Sequence, residues 1–207
     1  MTGIDHGQPL LAEAARLDEV AGVQVNYIHA RAEETGLPSG YADVVAAGQC
    51  WHWFDRPAAM REVIRVLKPE GRLVIAHFDW LPLPGNVVEA TERIVLQHNP
   101  EWSMGDQCGI YTDWFRELGS AAFRAIESFS YDIDVPYSHE AWRGRLRACG
   151  GVGAVLSPDE VERFDRALAG MLLLRYPDEE LQVPHRVFVV MARPAAPVAD
   201  GGDRVAG

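Results

Sequence analysis

Two places in this sequence gather residue types suited to chemistry. Asp5 closes a short apolar stub, Thr2-Gly3-Ile4, so a carboxylate stands where a strand ends. In doubly wound sheets ligands bind at the carboxyl ends of strands. A carboxylate there can accept both ribose hydroxyls of a nucleotide cofactor. The other role open to Asp5 is capping the next helix. The second place is Gln49-Cys50-Trp51-His52-Trp53-Phe54-Asp55, directly after the apolar run Val44-Val45-Ala46-Ala47. Aromatic rings and a histidine crowd one strand-to-helix loop, which is functional ground in α/β folds. The cluster is either a pocket wall or a hydrophobic staple fixing the helix entry.

An unperturbed histidine titrates near neutral pH and can serve as a general base. His52 is the first candidate, and His77, at the end of the following strand, is the second. His185 precedes a strand and either reaches the pocket or sits in a turn. Trp80, Trp102, Trp114 and Trp142 either line a cavity for an apolar or aromatic molecule or fill the core. Arg143 and Arg147 share a helical face and suit either a substrate carboxylate or solvent. No histidine, cysteine and acid cluster has metal-ligand spacing, so no metal is expected. Gly150-Gly151-Val152-Gly153 imitates a phosphate loop but follows a helix instead of a strand, so it reads as a helix–helix connection.

The elements that must position these residues follow from hydrophobic period and punctuation. Helices are predicted over 8–20, 56–67, 87–97, 112–118, 138–149 and 158–174. Asp55 is the expected cap of the second, and Ser157 with Glu160 makes a capping box for the last. Strands are predicted over 23–28, 42–48, 72–78, 123–135 and 187–192, with Lys68-Pro69-Glu70-Gly71 as a helix stop. Strand alternating with helix predicts an α/β domain with a parallel sheet over residues 1–193, in which 80–118 and 136–180 are mainly helical. Residues 194–207, rich in Pro, Ala, Gly and Asp, are expected to be a disordered tail.

The chain has 207 residues and a formal net charge of −11. Such a balance argues against nonspecific nucleic-acid binding, which needs clustered cations. No apolar run reaches the ~20 residues of a membrane helix, and the N-terminus has no signal-peptide pattern. Three widely spaced cysteines suit reduced thiols, and a cytoplasmic location is expected.

The succession Gly3-Ile4-Asp5, Ala30-Arg31-Ala32-Glu33, Leu37-Pro38, Ala42-Asp43-Val44-Val45, Gln49 to Asp55 and Glu62 to Leu73 resembles the type 11, small-molecule group of class I S-adenosylmethionine-dependent methyltransferases. The resemblance covers residues 2–78 tightly. Trp142 to Leu146, Gly151 to Ala154 and Val183 to Phe188 resemble one branch of that group. It implies a Rossmann-like sheet with an antiparallel C-terminal strand, S-adenosylmethionine as cofactor and a small-molecule acceptor. It further implies that Asp5 holds the cofactor ribose and that His6, Ala32 and Glu33 lie about the adenine. Gln49 would sit under the methionine part, and Trp51, His52 and Trp53 would line the space between cofactor and substrate. From their positions in the sequence, His77, Trp80 and His185 are further candidates for the substrate pocket.

One part of the family pattern is missing. The glycine-rich loop after the family's first strand is absent, and the chain starts where the second strand ends. The family's sheet order, 3-2-1-4-5-7-6, puts the absent strand between the strands ending at Asp5 and Gly48. The chain is thus expected to be short by one strand and one helix, about 30 residues. Met1 would then stand where the family often has a valine, and an upstream in-frame glycine-rich segment is expected. The alternatives are a non-catalytic remnant or binding module of the same fold and, more distantly, a nicotinamide-dependent oxidoreductase.

Overall fold

A computed structural model describes residues 1–178 and 180–195. Its elements are β1 (Thr2–Asp5), α1 (Gln8–Ala21), β2 (Asn26–His29), β3 (Ala42–Gly48), α2 (Arg56–Val66), β4 (Leu67–Trp80), α3 (Val87–His98), α4 (Asp113–Ser120), β5 (Phe123–Ser138), α5 (His139–Arg147), α6 (Pro158–Arg175) and β6 (Glu180–Pro194). A single 3₁₀ turn, Trp51–Trp53, joins β3 to α2.

The strands form two sheets. β1 pairs in parallel with β2, and a second sheet has the order β3-β4-β6-β5, with β3 parallel to β4. β1 and β3 thus lie in separate sheets and do not pair with each other. Val44 of β3 is 55% exposed, and α1 has no buried residue although Leu10, Leu17 and Val20 are apolar.

Local chemistry explains the boundaries. Asp55 caps α2, its carboxylate accepting the Ala58 N–H at 3.2 Å. Ala59, Met60, Val63 and Val66 then recur at helical spacing and are buried. The Glu160 carboxylate accepts the backbone N–H of Ser157 at 2.9 Å and its hydroxyl at 2.7 Å, starting α6.

Three expected boundaries are corrected. β2 starts at Asn26 instead of Val23, because β1 offers only Thr2 to Asp5 as partners. The expected helix stop at 68–71 is absorbed into β4 as a register irregularity, Ala42 facing Leu67 and Val44 facing Arg72. A Cβ at Gly71 would stand 3.0 Å from the Lys68 carbonyl and 3.1 Å from the Ala42 carbonyl, tighter than ordinary contact, so glycine suits the close approach there. β6 begins well before residue 187 and ends at Pro194, so the first residue of the expected tail is strand. The Ala195 N–H donates to the Ala122 carbonyl at 2.7 Å. The rest of the expected tail, 196–207, lies outside the described residues.

The chain gathers into two compact units. One holds Met1–Ala76, Thr112–Ser128 and the segment from Val190; the other holds His77–Tyr111 and Phe129–Val189. The first is centred on α2, β3 and the start of β4, with Trp51, Leu73, Ile75 and Phe123 buried. The second packs α3 and α5 on α6 around Trp142, Leu146, Phe164, Leu168 and Leu172. Gly150 to Gly153 lie between α5 and α6, and the buried Asn99 amide donates to the Gly151 carbonyl at 2.9 Å. Among the described residues no helix is long and apolar enough to cross a membrane.

Candidate active site

In the first unit, the site residues stand at the carboxyl ends of β1 and β3. The Asp5 carboxylate ends β1, and its Oδ1 accepts the Gly7 N–H at 2.6 Å. Gly7 is the cap residue of α1, so Asp5 does fix the helix entry. The side chain is still 40% exposed, and a carboxylate offers about four acceptor positions, which leaves room for ribose hydroxyls. His6 turns outward, and its carbonyl accepts from His29 Nε2 at 2.9 Å.

Ala32 and Glu33 occupy a tight turn after β2. Glu33 Oε1 accepts the Asp55 N–H at 2.9 Å, and Oε2 accepts from Arg31 Nε at 3.3 Å. Burial opposes ionisation of Glu33, but the backbone N–H groups of Glu33 and Asp55 and the Arg31 guanidinium outweigh it and hold its pKa low. Glu62 grips the same segment from α2. Its Oε1 accepts the N–H and hydroxyl of Thr35 at 2.8 and 2.6 Å, while Arg65 donates from the other side at 2.7 Å. The segment just after Ala32 is therefore tied to the α2 cap through Glu33 and to α2 itself through Thr35.

Gln49, the first residue past β3, has φ of 56°, in the left-handed region that costs a non-glycine residue about 1–2 kcal/mol. Its N–H donates to the Ala76 carbonyl at 2.9 Å, which holds the strained turn in place. The turn re-aims the chain into the Trp51–Trp53 segment. Trp51 is buried, edge-on to Phe54 with ring centres 5.8 Å apart. His52 is half-buried against Trp53 at 4.5 Å, and Trp53 is exposed. Trp51 thus anchors the loop, while His52 and Trp53 are the residues it presents.

In the second unit, period-2 alternation divides the expected acceptor residues between two faces. His77 and Asp79 share one face of β4. Asp79 Oδ2 accepts the Tyr111 hydroxyl at 2.9 Å and lies 3.5 Å from His77 Nδ1, and the His77 and Tyr111 rings are 4.6 Å apart. Burial, followed by the Asp79 carboxylate, pushes the Tyr111 hydroxyl well above its ordinary pKa, so it stays protonated as a donor. Phe78 and Trp80 share the other face with His185: Phe78 stacks on His185 at 4.6 Å, and Trp80 meets Trp142 at 5.4 Å. His77 therefore does not join Trp80 and His185 in one wall. Asp79 and Tyr111 were missed from sequence; the i, i+2 spacing of His77 and Asp79 on a strand was the available signal. Among the described residues no group of three or more His, Cys, Asp or Glu could hold a metal ion.

Comparison with known proteins bears on the fold and the first 75 residues. Residues 1–75 match the family described as "Methyltransferase domain". A malonyl-[acyl-carrier protein] O-methyltransferase of Brevibacillus brevis is 27% identical over 202 residues, covering 92% of this chain and 70% of that protein. A demethylmenaquinone methyltransferase of Thermus thermophilus is 34% identical over 98 residues, 47% of this chain and 44% of that protein. The crystal structure of the YcgJ protein from Bacillus subtilis superposes with a TM-score of 0.58 at 17% identity, covering 95% of this chain and 82% of that one, and shares the fold. The first 75 residues thus resemble a methyltransferase domain, and the chain as a whole shares the fold of that solved structure.

Proposed function

We propose that the chain catalyses S-adenosylmethionine-dependent methyl transfer to a small-molecule acceptor, with residues 1–193 working as one methyltransferase-like domain. The observation that carries this reading is the pair of strand ends in the first unit. Asp5 ends β1 with acceptor capacity to spare, and Gln49 follows β3 in a strained turn held by Ala76. Asp5 would take the ribose hydroxyls, His6, Ala32 and Glu33 the adenine side, and Gln49 with Trp51 the methionine side. The cofactor supplies an activated sulfonium methyl, so the protein's task is alignment. His52 is the residue proposed to take a proton from a hydroxyl or amine acceptor. The three free thiols, Cys50, Cys108 and Cys149, suit a reducing, cytoplasmic location. The acidic surface argues against a nucleic-acid acceptor.

One observation favours a second reading, a non-catalytic binding module: β1 and β3 lie in separate sheets, with no described strand pairing them. An assay with methyl-labelled S-adenosylmethionine and a panel of small hydroxyl, amine and carboxyl acceptors separates the two. Label is expected to move to at least one acceptor. His52→Gln should then lower kcat about 100-fold for an acceptor that must lose a proton, with KM for the cofactor unchanged. Cofactor binding without transfer to any acceptor class would favour the second reading.

A further inference from the structure

Three arginines alternate along α5, and two of them are fully employed. Arg143 Nε and Arg147 Nη1 reach Asp165 Oδ1 at 3.0 and 2.7 Å, and both side chains also bind Glu140. Arg145 faces away from this network. Among the described residues no carboxylate lies within ion-pair distance of it, and its buried Nε has no hydrogen-bond partner. The guanidinium lies over the Trp80 indole, 5.3 Å from the ring centre.

His185 on β6 is in a complementary position. It is fully buried, and its Nδ1 lies 2.9 Å from the Val183 carbonyl. A carbonyl only accepts, so Nδ1 carries the proton and Nε2 presents a lone pair. Burial, together with nearby Arg145, lowers the imidazole pKa against the opposing pull of the Val183 carbonyl and Asp79, which favours the neutral ring. Phe78 covers one part of the ring at 4.6 Å and Tyr137 stacks on it at 6.0 Å, leaving the ring edge for a partner. Among the described residues the buried Nε2 has none. An unpaired polar atom in the interior is costly and rare enough to require a reason.

Arg145 and His185 border the same aromatic cluster. Tyr137 meets Trp142 at 5.3 Å, Trp142 meets Trp80 at 5.4 Å, and Arg145 covers Trp80. The cluster thus carries a cationic N–H donor at one end, a neutral acceptor nitrogen at the other, and flat apolar surface between. We infer that Phe78, Trp80, Tyr137, Arg145 and His185 form a subsite for a small planar acid bearing a hydroxyl. Its carboxylate is held by Arg145, and its O–H is donated to His185 Nε2. That this ligand is the methyl acceptor rests on the proposed function; that it binds does not.

The test uses 4-hydroxybenzoate as probe and 4-hydroxybenzamide as its neutral counterpart, titrated calorimetrically into the whole chain. The acid is expected to bind the unaltered protein about tenfold more tightly than the amide. Arg145→Gln should remove that difference, and Arg145→Lys should restore part of it. The ring-nitrogen NMR signal of His185 Nε2 is expected to shift on adding the acid. Equal affinity for acid and amide in the unaltered protein would overturn the inference, whether or not the variants fold. So would an unmoved His185 signal at saturation, or no binding of the acid at millimolar concentration. Parallel titration with S-adenosylhomocysteine keeps the two ideas apart. Cofactor-product binding without acid binding sinks the subsite alone; acid binding without cofactor-product binding sinks the methyl-transfer reading alone.

Discussion

Replacing Trp142 by alanine is expected to lower stability by about 3–5 kcal/mol, the usual cost of deleting a fully buried tryptophan. The side chain is 0% exposed and sits in the core of the second unit with Leu146, Phe164, Leu168 and Leu172. Its ring meets Trp80 and Tyr137 at 5.4 and 5.3 Å, so truncation opens a cavity against two other large aromatics. Its Nε1 donates to the Thr91 hydroxyl at 3.0 Å, and that hydroxyl donates to the Val87 carbonyl at 2.7 Å. Thr91→Val tests the polar part separately. It leaves the indole N–H unpaired, at a cost of about 1–3 kcal/mol. Equilibrium unfolding in urea measures both, as a lower midpoint at unchanged slope. A loss below about 1 kcal/mol for Trp142→Ala would contradict its place in the core.

The second large effect depends on pH. Glu62 is nearly buried, and the Arg65 guanidinium, working with the Thr35 hydroxyl and N–H against the cost of burial, holds its pKa at about 2 instead of 4.5. A carboxyl depressed by that amount stabilises the folded chain by at most about 3 kcal/mol at neutral pH. The contribution is fully present above 4.5 and is lost as the pH falls toward 2. Glu62→Gln should therefore be destabilised by about 2–3 kcal/mol at pH 7, and the gap to the unaltered protein should close on acidification. Urea unfolding of both proteins between pH 7 and pH 3 checks this. A gap that is constant with pH would show that the charge of Glu62 does not act. Since Glu62 also pins Thr35, the same substitution loosens the turn that presents Ala32 and Glu33.

The sequence carried most of the first unit because its signals there are local. Val44 to Ala47 is an apolar run, Asp55 is a cap and Pro57 follows in the first turn, so β3 and α2 could be read directly. Asp5 carried two readings, helix entry and ligand acceptor, and the geometry allows both on one carboxylate. The second unit was harder because its logic is non-local. β6 contains Pro184, a poor strand signal, yet its carbonyl accepts the Leu81 N–H at 2.8 Å. Arg143 and Arg147 looked like anion binders on helical spacing alone. Only the fold brings Asp165 to them and leaves Arg145 as the free cation among the described residues of α5. The separation of His77 from Trp80 was in principle legible, since three residues along a strand point to opposite faces.

The break between β1 and β3 bears on function as well as on stability. Unpaired strand edges expose backbone groups that want a partner, and the two strand ends proposed to hold the cofactor flank that break. The account holds that Asp5 and the β3 turn retain cofactor affinity across it. Calorimetric titration of S-adenosylhomocysteine into the unaltered chain and into Asp5→Ala tests this most directly. The account predicts micromolar binding in the first and a loss of about tenfold or more in the second, the worth of charge-assisted hydrogen bonds to the ribose. No heat at millimolar ligand, or equal affinity in the two proteins, would contradict it.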